Sequence, residues 1–156
     1  MGDTQAASTG DDQTTGAGDG DHTHDDATGT PPARTTDTID IAVPLRDEHA
    51  ATLRLIVASL GSENGLSIDE IDDVKLAVSE VFTLLTDDAD DVGATRAHVA
   101  YTAAPGTITI TLHRGLDDER LVLDTLAETI LSSVVDRHVV DNTGVTLVKV
   151  ADEAHG

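Results

Sequence analysis

The chain has 156 residues, enough for one domain, and its nine basic against thirty acidic side chains give a formal charge of −21, which repels nucleic-acid phosphates and anionic membrane surfaces. It has no cysteine, so disulfides, thiolate metal sites and cysteine nucleophiles are excluded, and one Phe, one Tyr and no Trp offer no platform for stacked bases. No apolar run approaches the ~20 residues that span a bilayer and the N-terminus has no basic stretch followed by an apolar one, so a soluble, cytoplasmic protein is expected.

Residues 1–37 contain no Val, Ile, Leu, Phe or Tyr. Such a segment buries too little apolar area to offset its ordering entropy, and an acidic disordered tail is expected there. Within it, GDGDHTHDD (residues 18–26) gathers acids around His22 and His24, but the spacing fits no established metal cage and reads as solvated. In TIDIAVPL, Ile39, Ile41 and Val43 alternate as in a half-buried strand that Pro44 ends. From 46 to 62, Ala50, Leu53, Ile56, Val57 and Leu60 form a helical stripe, closed by the turn-like Gly61 and Gly65, with Arg46, Asp47, Glu48, His49 and Arg54 on its outer face. Ser67 and Glu70 form a capping box opening a second helix, to about Thr86, whose buried face is Ile71, Val74, Val78, Val81 and Leu85.

DDADDVG then reads as a solvated acidic loop. Residues 95–103 and 107–113 flank Pro105–Gly106 as a β-hairpin with Ile108, Ile110 and Leu112 inward, which places His98 and His113 on adjacent strands as a pH-sensitive or metal-binding pair, or as plain polar-face histidines. Leu123, Leu126, Ile130, Leu131 and Val134 give a third helical stripe. RHVVDNTGVTLVKV closes the chain as two short strands around Asn142-Thr143-Gly144. The order β-α-α-β-β-α-β-β predicts an α/β two-layer sandwich, three helices on one face of a mostly antiparallel sheet, over 38–152; residues 153–156 form a short C-terminal tail. None of Ser79, Ser132, Ser133, His98, His113 and His138 sits in a nucleophile-elbow context.

DDVKLAVSEVFTLL (residues 72–85) carries the main question. At about 100° per residue its core face centres near Val78 and Leu85. Glu80 lies well round from that face, and Leu84 follows four residues on along the same strip. By periodicity alone Glu80 is ordinary surface charge.

AVSEVFT, the hairpin leading into HRG, and the closing TGVTLVKV, in this order, resemble the GHKL ATPase superfamily (a Bergerat-type fold), and most of all its anti-sigma-factor serine kinases, the RsbW/SpoIIAB-like proteins, over about 38–151. The resemblance implies that Glu80 is a general base and that an Asn four residues later holds Mg²⁺ against ATP; this chain has Leu84 there. The implied D-x-G-x-G falls on His113-Arg114-Gly115-Leu116-Asp117, where only Gly115 matches and the adenine-reading Asp is replaced. A phosphate-cradling glycine segment is implied between about 118 and 130, where DDERLVLDTLAET has no glycine. Thr83, Leu84, His113, Gly115, Asp117 and Thr143 are the positions that match the nucleotide pocket.

The resemblance therefore implies a regulatory protein that binds a sigma factor or a STAS-type antagonist, forms contacts or a homodimer through the helix at 46–62, and carries a degraded nucleotide site with no cofactor and no metal. Two alternatives stand beside it. One is an active ATP- and Mg²⁺-dependent serine kinase with Glu80 as base, in which His113 or Asp117 replaces the missing groups. The other is a salt-adapted binding domain of unrelated role, since the acid excess also suits a salty cytoplasm.

Overall fold

A computed structural model describes residues 36–87, 89–115, 121–142 and 144–153. Most of the expected tail, including His22 and His24, and also Asp117 and Thr143, lies outside the described residues. The described residues lie within one unit, Arg34–Gly156.

The alternating segments become five strands: β1 (Asp37–Pro44), β2 (Arg96–Ala104), β3 (Thr107–His113), β4 (Arg137–Val140) and β5 (Gly144–Val150). They form a single sheet in the order β1-β2-β3-β5-β4, with each neighbouring pair antiparallel. Register aligns the inward rows across the sheet: Ile41 faces Val99, which faces Leu112, which faces Val145. One row on, Tyr101, Ile110 and Leu147 repeat the pattern. These side chains are buried apart from Ile41. The opposite face presents Thr102, Thr109, Thr111 and Thr146, where the Thr111 and Thr146 hydroxyls meet at 3.2 Å.

Three long helices, α1 (Ala50–Glu63), α2 (Ile68–Asp87) and α4 (Thr125–Val134), cover the apolar face, with α2 between the others. Leu53, Val57, Val74, Val78, Phe82, Leu85 and Leu131 close the core against the sheet. Tyr101 is buried among them; its hydroxyl donates to the Leu53 carbonyl at 3.3 Å, and burial pushes its pKa up.

The capping box forms as expected: the Ser67 N–H donates to Glu70 Oε2 at 2.7 Å, and the Glu70 N–H to Ser67 Oγ at 3.2 Å. Four other expectations are corrected. Gly61 does not end α1 but lies buried inside it, where a Cβ would meet Ile71 Cγ1 at 2.7 Å. The helix stops further on, at Gly65, whose φ of 89° is the left-handed turn that lets the Leu66 N–H bond the Gly61 carbonyl at 3.0 Å. DDADDVG is not all loop: α3 (Ala89–Val92) forms because Ala89 is buried and the acids of its first turn suit a helix N-terminus. Ile39 is 37% exposed because β1 is an edge strand, and Leu126 is 66% exposed, its inward place on α4 being taken by Ala127.

Candidate functional site

Helix α2 carries the residues in question. Glu80 is half-buried, between buried Val81 and half-buried Ser79; among the described residues it has no hydrogen-bond or ion-pair partner. Ser79 is held from α1: Arg54 Nη1 donates to its Oγ at 3.0 Å. Arg54 was expected on the outer face of its helix, and it instead bridges the two helices. Thr83 is exposed. Leu84 is half-buried and packs its hydrocarbon against the core, as its place one helical turn beyond Glu80 allows.

His113 ends β3. Since Leu112 points into the core, strand alternation turns His113 to the face away from the helices. There it stacks on His98, its direct partner in register, with ring centroids 5.2 Å apart and planes at 18°. His113 Nδ1 accepts from the Gly115 N–H at 3.1 Å. Gly115 takes φ 75°, and a Cβ there would touch the His98 ring at 3.5 Å. The fold thus brings His98, His113 and Gly115 together, as the hairpin register predicted for the two histidines, and sets them on the other side of the sheet from Glu80 and Leu84. A cavity of about 370 Å³ lies beside the pair and includes Asp40, Ala42 and Ala100 in its wall.

Periodicity missed several features. Arg114 is 6% exposed, a buried cation directly after the matched position His113; its placement beside a strand end gives no pattern to read. A second cavity, of about 420 Å³, is lined by Leu121, Val122, Leu123, Glu128 and Val140. Glu128 Oε1 lies 2.9 Å from His138 Nε2 across α4 and β4. Among the described residues no group of three or more His, Asp or Glu side chains is placed to hold a metal ion. No helix among them is long and apolar enough to cross a membrane.

No family model matches the chain. It is 37% identical over 59 residues to the serine-protein kinase RsbW of Halalkalibacterium halodurans, a stretch covering 38% of this chain and 36% of that one. It is 35% identical over 57 residues to the protein of the same name from Bacillus cereus strain AH187, covering 35% of this chain and 36% of that one. Over part of its length the chain is distantly similar to RsbW serine kinases. The matched stretch thus spans little more than a third of these relatives. A crystal structure of the RsbU and RsbW domains of a Mycobacterium tuberculosis protein superposes with a TM-score of 0.53 and 18% identity, over 74% of this chain and 32% of that one. At that identity the match concerns fold alone: the α/β sandwich expected from the order of elements is one that this RsbW-containing structure shares.

Proposed function

We propose that this chain is a regulatory protein that acts mainly by binding another protein, with a nucleotide site that no longer works. The observation that carries the reading is Leu84, turned against the core where the resemblance implies an Asn. Mg²⁺ needs oxygen ligands in near-octahedral geometry, and a leucine supplies none. The residues present therefore do not fit the ion. His113 stands where an adenine-reading Asp is implied, but it turns to the face of the sheet away from Glu80 and Leu84, so it supplies no adenine reader beside them. Losing one such hydrogen bond costs about 1–3 kcal/mol, up to roughly a hundredfold in affinity. The charge of −21 further opposes a polyanion.

The partner on this reading is a sigma factor or a STAS-type antagonist. Isothermal calorimetry of the full chain with ATP and Mg²⁺ tests it: no saturable heat is expected at millimolar nucleotide, and micromolar binding would overturn it. A second reading, an active serine protein kinase, has one observation in its favour. Glu80 is a half-exposed carboxylate without a partner among the described residues, as a general base requires. Incubation with labelled ATP and a STAS-domain protein separates the two, since label transfer abolished by Glu80→Ala makes the chain a kinase.

A further inference from the structure

We propose that the outer edge of β4 and the aliphatic cavity beside it form a docking groove for an extended peptide segment that alternates apolar and basic side chains. Among the described residues β4 is the last strand of the sheet and pairs with β5 alone. The Asp141 N–H donates to the Gly144 carbonyl at 3.0 Å, and the register continues that pairing back through Val139–Thr146 and Arg137–Val148. Those residues spend their main-chain groups on β5. His138 and Val140, which alternate with them, therefore turn their N–H and C=O outward, and no described residue bonds them. An added strand needs such a row of unpaired groups.

Val140 also belongs to the wall of the 420 Å³ cavity, with Leu121, Val122 and Leu123. Val122 is 73% exposed, so the aliphatic wall of the cavity is open to a partner. Every second side chain of a strand laid along β4 would face this cavity. Glu128 supplies the charge in the wall, and its described partner is the single imidazole of His138. In a chain of charge −21 this carboxylate favours a basic segment and repels a second copy of the same acidic protein. The opposite edge is longer but guarded: Pro44 has no N–H to offer at its end, and Arg96 Nη1 occupies the Ala42 carbonyl at 3.4 Å. β4 has no proline. The groove goes beyond the regulatory reading and does not depend on it, because an active kinase could carry the same edge.

The test uses the full chain and two labelled, amidated hexapeptides, Arg-Val-Arg-Val-Arg-Val and Glu-Val-Glu-Val-Glu-Val. Fluorescence anisotropy is expected to show saturable binding of the basic peptide and none of the acidic one. Bound peptide is expected to slow amide exchange at His138 and Val140. The exposed, uncharged substitution Val122→Ser is expected to weaken binding at least ~tenfold by removing apolar wall, while the amide spectrum of the variant stays that of the folded chain. Failure of the basic peptide to bind, equal binding of the acidic one, indifference to Val122→Ser, or protection at Thr38, Asp40 and Ala42 instead would each refute the groove. Nucleotide titration plays no part in these outcomes, so the two proposals fail separately.

Discussion

Glu70 shows how much one side chain can tie together. Its carboxylate accepts the Asp152 N–H from the end of the chain at 2.5 Å and the Ser67 N–H at the start of α2 at 2.7 Å. Those two amides, the Asp152 bond foremost, hold its pKa below the ordinary glutamate value. The folded state therefore prefers the ionised form. The stabilisation is fully present above the unfolded pKa of about 4.3 and is lost as the pH falls through the lower folded value. Glu70→Gln keeps one acceptor oxygen and should cost about 1–3 kcal/mol at neutral pH. It should also flatten the fall in stability as the pH drops below about 4.3, since the variant has no carboxylate to protonate there; urea titrations at a series of pH values read both effects. The half of this arrangement that was legible in the sequence is the half that is local. Ser67 and Glu70 announce themselves by spacing, whereas Asp152 arrives from the far end of the chain and leaves no trace in any window. The same holds for the candidate site: the helical period set Glu80 and Leu84 on one strip, but Arg54 meets Ser79 only through the packing of α1 on α2.

At the level of elements, the tightest junction is where β5 leaves its turn beside β3. Gly144 faces His113 in register, and a Cβ on it would run into the Leu112 carbonyl oxygen and lie 2.7 Å from His113 Cβ. Because the obstacle is largely backbone, Gly144→Ala should cost about 1–3 kcal/mol or more and loosen the β3–β5 ladder; thermal unfolding with amide exchange at Leu112 and Val145 measures it. An unchanged melting temperature would mean that the turn yields freely. The strands were readable because a period of two survives any tertiary context. The helical stripes were readable in outline only. On α4 the stripe named Leu126, yet the turn that packs is Ala127–Leu131–Val134. Spacing gives a helix a face but does not say how far the neighbouring α2 rotates it, and a small Ala fits where a Leu would collide. The short α3 escaped notice because four acids around one alanine look like solvent, and that single buried Ala89 anchors the turn.

For the molecule as a whole, the acid excess acts as a self-repulsion that compactness makes worse. Raising KCl from about 0.05 to about 1 M shortens the screening length to roughly 3 Å and should raise the melting temperature, as the salt-adapted reading also requires. A melting point that stays flat or falls would show that the acids are already balanced within the fold. The class of architecture followed from the order of elements. The strand order did not, because nothing in a one-dimensional pattern says that β5 inserts between β3 and β4.

That arrangement also sets a timetable for assembly. β2 and β3 are joined by a tight turn at Pro105–Gly106 and can zip at once, while β1 must reach β2 across the whole of α1 and α2. The larger loop costs more chain entropy to close, and its contacts come late. A nascent chain caught midway therefore has helices and hairpin in place and the flank of β2 still bare, and that flank is where an unfinished molecule would stick to its neighbours.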